Sequence, residues 1–222
     1  MASNAREEIL GRLRTAKRQV SPTKPAAAAP GQPAKGEVEV FQREAQIVSA
    51  KVTVVPGKDA IAQGVLELLG DREVKSLLVV EDKRLDNAGL KKAARELNAE
   101  YISTWELSEK EYQEKAFTCD VGITCCDWGV AETASVVIFH RIDAPRLPSV
   151  SPPVHIGILY TERLLKSMKD LALVIKQQEP MPSAVTIISG VSRTADILLT
   201  PTLGMHGPLE VGIILVEGSE TA

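Results

Sequence analysis

Beyond residue 37 the sequence alternates between two hydrophobic periods, and that alternation limits the fold more than any other feature. Short apolar runs at 77–80, 121–124, 135–139, 155–160, 184–189 and 211–216 have the length and the β-branched content of buried strands. Between them lie stretches with helical spacing. Ile61, Val65, Leu68 and Leu69 mark one helix that stops at Gly70, and Leu90, Ala93, Ala94 and Leu97 mark a second. Leu164, Leu165, Met168, Leu171, Ala172 and Ile175 mark a third, which ends before Pro180 and Pro182. Strands separated by helices predict an α/β domain with a mostly parallel or mixed central sheet and helices on both faces. The short gap between Thr124 and Ser135 leaves room for some antiparallel pairing.

The first 36 residues read differently. Residues 1–20 predict an amphipathic helix: Asn4 and Glu7 have capping-box spacing, and Ile9, Leu13, Ala16 and Val20 share a face. This arm carries five basic side chains against two acidic ones, which fits either a solvated helix or a docking arm for an anionic partner. Residues 21–36 hold four prolines, two glycines and a run of alanines without a packing period, so they predict a linker. The folded domain is then 37–222.

Charge and cysteine usage exclude several functions. With 26 basic and 29 acidic side chains the net charge is -3, without the basic excess of a nucleic-acid binder. Cys119, Cys125 and Cys126 are an odd, crowded set, unlike a secreted disulfide framework, and predict a cytoplasmic location. Their spacing matches neither a ferredoxin run nor a zinc finger, so no metal site and no cofactor bound by this chain are expected. No apolar stretch approaches the roughly 20 residues of a membrane helix, so no membrane span is expected.

Three stretches after apolar runs are rich in polar and glycine residues, where ligands gather in open α/β sheets. The first offers Thr124, Asp127, Glu132 and Thr133, with Trp128 as a stacking surface; the same letters also describe two strands joined by a turn. The second runs through Ser189, Gly190, Ser192, Arg193, Thr194 and Asp196. It reads either as a turn opening a helix whose N–H groups hold an anion, or as an ordinary Ser192 cap with an Arg193–Asp196 surface pair. It is neither a P-loop nor a dinucleotide fingerprint. In the third, Gly204 and Gly207 flank His206 and let the imidazole approach a ligand; His155 follows a proline pair and is a further candidate.

Taken in order, Gly122, Thr124, Asp127, Glu132 and Thr133, then Pro152, Pro153 and His155, then Ser189 to Ile197, then Gly204, His206, Gly207 and Pro208 resemble the lactate utilization family of LUD domains. The sequence departs from that pattern at Ala134 and Ser135, at Val191 and at Cys125 and Cys126. The resemblance implies a fold similar to the sugar-phosphate isomerase, coenzyme A transferase and formyltetrahydrofolate cyclo-ligase group. It implies a role with two partner lactate utilization proteins, bearing iron–sulfur clusters, in oxidising L-lactate to pyruvate. On this reading the chain is an accessory subunit that binds a small carboxylate or phosphate. Arg193 and the N–H groups of 190–193 would hold the anion, His206 and His155 would orient it or pass a proton, and Glu132 would act as base. Thr124, Asp127, Thr133, Ser189, Ser192, Thr194, Asp196, Gly204 and Gly207 would line the pocket. The alternatives are a stand-alone enzyme of the same fold group, with Glu132 as base or nucleophile, and a structural adaptor docked through its first helix.

Overall fold

The computed structural model describes residues 36–141, 143–195, 201–203 and 207–218, with side chains omitted at 193–195 and 201–203. The predicted helix over 1–20 and the predicted linker over 21–36, apart from Gly36, lie outside them, as do Asp196, Gly204 and His206. In chain order the elements are α1 Glu37–Ile47, β1 Lys51–Val55, α2 Ile61–Leu69, β2 Ser76–Val79, α3 Asn87–Glu96, β3 Glu100–Ser103, α4 Glu109–Thr118, β4 Val121–Cys125, β5 Trp128–Val130 and β6 Ser135–His140. There follow β7 Val154–Tyr160, β8 Leu164–Leu165, α5 Met168–Lys176, β9 Ala184–Ile188, β10 Arg193–Ala195, β11 Pro201–Leu203 and β12 Glu210–Val216.

Six strands form a wholly parallel sheet in the order β1-β12-β7-β4-β2-β3. One face is covered by α2 and α3, whose Val65, Leu69, Leu90 and Ala94 pack on Ile123, Ile156 and Ile214. On the other face α4 seats Ala116 against Leu78 and Ile102. Beside it, α1 and a second sheet cover Leu159, Ile213 and Leu215 with Phe41, Ala45, Val136 and Ile138. The second sheet has the order β8-β5-β6-β9, antiparallel except between β5 and β8. Its far side is closed by α5, with Leu171 against Val137 and Phe139. The expected α/β sheet with helices on both faces is therefore present, and the gap after Thr124 holds the β5–β6 hairpin. Among the described residues no helix is long and apolar enough to cross a membrane.

Two readings of the sequence need correction. Leu164 and Leu165 are not the first turn of a helix; they pair with Gly129 and Val130, and α5 starts only at Met168, after a Ser167–Asp170 capping box. The second polar stretch does not open a helix. Residues 193–195 pair antiparallel with 201–203, so the N–H groups there do not form the helix N-terminus that an anion would have used.

Candidate functional site

The order of the parallel strands places a crevice. From β2 the chain moves outward to β3, whereas from β4 it moves, through the second sheet, to β7 on the opposite side. Such a reversal leaves a gap beyond the carboxyl ends of the two strands. Here a cleft of about 720 Å³ opens there, lined by residues 80–84 after β2, by Thr124, Cys125 and Asp127 at the end of β4, and by Arg141 and Arg163.

The loop after β2 is pinned carbonyl by carbonyl. Asn87 Nδ2 donates to the Asp82 carbonyl at 3.1 Å, Lys58 Nζ to that of Lys83 at 2.7 Å, and the buried Tyr160 hydroxyl to that of Arg84 at 2.6 Å. Fixed in this way, Arg84 grips Asp82 with both ends of its fork, Nε to Oδ1 at 3.0 Å and Nη2 to Oδ2 at 2.7 Å. Asp127 completes a network. Its Oδ1 lies 3.6 Å from Arg84 Nη2 and accepts from Arg141 Nη2 at 3.3 Å, while its Oδ2 accepts the Phe139 N–H at 2.7 Å. Asp127 thus ties the parallel sheet to β6. Arg163 stacks over the Trp128 ring at 4.9 Å, and Trp105 stands at the rim with 66% of its surface exposed.

Electrostatics follow from these partners. Burial disfavours the Asp82 carboxylate, yet hydrogen bonds and charge from Arg84 outweigh it and hold the carboxyl below its usual range. Burial likewise opposes the Arg84 charge, and Asp82, with the further negative surroundings, more than restores it, so its pKa is raised. The thiols behave in the opposite way. Burial pushes Cys119 up to about 11, Cys126 up to about 12 and Cys125 well above the ordinary thiol value, so all three stay protonated. None is an activated nucleophile.

The residues singled out in the sequence fall into separate groups. Thr124 and Asp127 line the cleft, and His155 lies buried beneath it with Nε2 2.9 Å from Thr124 Oγ1. Glu132 is exposed, and its carboxylate accepts the Met168 N–H at 2.7 Å, at the start of α5. Thr133 and Ser189 meet through Ser135, each hydroxyl bonded to the Ser135 Oγ on the second sheet. Gly190 has φ +80°, and a Cβ there would lie 2.2 Å from the Val48 carbonyl, so close packing against the end of α1 demands a glycine. Ser192 and Gly207 are neighbours, with the Ser192 N–H donating to the Pro208 carbonyl at 3.3 Å. Arg193 and Thr194 are described by their backbone alone, in β10. The cleft residues missed in the sequence are Asp82, Arg84, Arg141 and Arg163. The Glu81, Asp82, Lys83, Arg84 run directly after a predicted strand was the signal for the first two.

These features define an α/β protein with a charged cleft at the switch point of a parallel sheet, and comparison with known proteins gives its family. A family model described as the LUD domain matches residues 38–216. Lactate utilization protein C of Halalkalibacterium halodurans is 31% identical over 164 residues, covering 72% of this chain and 70% of that protein. The protein named YkgG of Escherichia coli is 30% identical over 162 residues, covering 70% and 69%. A solved structure of a DUF162 family protein from Deinococcus radiodurans shares the fold, with a TM-score of 0.59, 19% identity, and coverage of 83% of this chain and 99% of that one. The chain belongs to the LUD domain family.

Proposed function

We propose that this chain serves lactate utilization as an accessory subunit, working with partner proteins that carry iron–sulfur clusters, and that its cleft binds a small carboxylate. The main support is that relatives matching across about 70% of the chain bear the name lactate utilization protein C. The cleft adds chemical support. Arg84, Arg141 and Arg163 converge on it, and guanidinium groups already oriented by carboxylates or a ring lose little freedom on meeting an anion. Clusters are assigned to the partners because the family resemblance implies it, and the three cysteines of this chain are buried thiols. The test reconstitutes the chain with its iron–sulfur partners and follows lactate-dependent reduction of an electron acceptor. Loss of the rate when this chain is omitted is expected; equal rates with and without it would end the proposal.

A second reading is a stand-alone enzyme acting on a larger anion such as a sugar phosphate. The size of the cleft favours it: about 720 Å³ falls within the roughly 300–1,000 Å³ of sites that take drug-sized ligands, more room than a three-carbon acid needs. Thermal shifts with lactate, pyruvate, sugar phosphates, ATP and coenzyme A esters separate the two. A ligand at 100 times its Kd adds about 2.7 kcal/mol. Stabilisation by a phosphorylated compound alone would favour the second reading.

A further inference from the structure

His155 is completely buried beneath the cleft floor, and the ion-pair network does not use it. It lies on β7, on the side facing the second sheet, and its ring leans over Gly157. A Cβ at Gly157 would stand 3.5 Å from His155 Cε1 and 3.0 Å from Cys126 Sγ. Gly157 is also the residue paired with Thr124 across the sheet. The missing side chain therefore makes the room in which an imidazole and a thiol flank the Thr124 hydroxyl.

The hydrogen-bond partners fix the roles. His155 Nε2 lies 2.9 Å from Thr124 Oγ1, whereas Nδ1 is buried and has no hydrogen-bond partner among the described residues. Burial without a compensating charge depresses the pKa of His155 to about 4, so the ring is neutral and carries one proton. A buried N–H without an acceptor is rarer than a buried lone pair without a donor. The proton therefore sits on Nε2 and is donated to Thr124 Oγ1. The hydroxyl proton must then point away from the ring. The neighbouring Cys126 thiol, protonated and in contact with the Thr124 hydroxyl, is a weak acceptor that a ligand oxygen outcompetes.

We propose that His155 sets the Thr124 hydroxyl as a hydrogen-bond donor to an acceptor oxygen of the cleft ligand, such as a carboxylate or keto oxygen. This rests on the reading of the cleft as the site of a small acid. Thr124 is the contact and His155 is a positioning residue.

Calorimetric titration of the full chain with pyruvate and with L-lactate tests it. Wild type binds, Thr124→Val weakens binding about tenfold, and Thr124→Ser stays close to wild type. His155→Phe weakens binding several-fold, while His155→Gln, whose amide N–H reaches toward the place of Nε2, restores most of the loss. A structural role alone would not produce that rescue. If Thr124→Val fails to fold, Thr124→Ala takes its place. Binding by Thr124→Val as tight as by wild type overturns the inference and leaves the cleft reading standing; so does His155→Phe binding as tightly as wild type. No binding of either acid to wild type removes the cleft reading and this inference together.

Discussion

The carboxyl edge of the parallel sheet and the four-stranded sheet beside it use the same residue types for different ends. At the edge, Asp82, Arg84 and Asp127 are largely withdrawn from water and lock one another around a depression. On the second sheet, Glu132 caps α5 from the surface, and Thr133, Ser135 and Ser189 satisfy one another. Each region also holds a buried histidine. His140 on the second sheet has both ring nitrogens bonded, Nδ1 to the Ala144 carbonyl and Nε2 to Thr186 Oγ1, while His155 under the cleft has one nitrogen bonded and, among the described residues, no partner for the other. Polar groups on the second sheet serve the fold, whereas those at the edge lie beside open volume. The proposal that the cleft binds a small acid at the edge rests on that contrast.

Removing Arg84 should break the contrast most severely. Its side chain is only 11% exposed and answers two carboxylates, so Arg84→Ala leaves Asp82 and Asp127 charged and underpaired, at about 4 kcal/mol by urea unfolding. A loss below about 1 kcal/mol would mean that the network does not organise the edge.

Acid comes next. His155 titrates near 6.5 when unfolded and at about 4 when folded, so between those values the unfolded chain binds the extra proton. Stability is complete above pH 6.5 and falls by roughly 3 kcal/mol as pH drops to 4. Burial lowers the pKa of His140 as well, which adds to the loss in the same direction. His155→Phe should flatten most of this slope in melts taken at pH 4 and 7; an unchanged slope would mean that His155 is not held neutral.

Glu132→Gln sharpens the comparison from the other side. It should cost about 0.5 kcal/mol, the worth of an exposed charge at a helix start, and leave pyruvate affinity unchanged in titration calorimetry. A large loss of affinity would move the site to the second sheet.

How much of this was legible in the sequence follows from what each element buries. The four inner strands of the parallel sheet are covered on both faces and read as apolar runs, so β2, β4, β7 and β12 were visible within a residue or so of their ends, whereas the half-exposed edge strands β1 and β3 were not read. By contrast α4 buries only Ala116 along its length, and α1 begins Glu37, Val38, Glu39, Val40, which has the period of a strand; neither was read. Arg193 to Ala195 followed a serine and so looked like a helix start, yet a strand partner eight or so residues later decided otherwise. Within the site, Thr124, Asp127 and His155 were visible because they lie on or next to strands. Arg84, Arg141 and Arg163 were not, because surface arginines look alike until the sheet order brings three loops to one crevice.

The most direct test of the edge as the binding site is a titration of the isotope-labelled full chain with pyruvate, followed by amide chemical shifts. The account predicts shifts concentrated at residues 80–84 and 124–127, with 132–135 and 189–192 unmoved. Shifts concentrated in the latter two segments would contradict it.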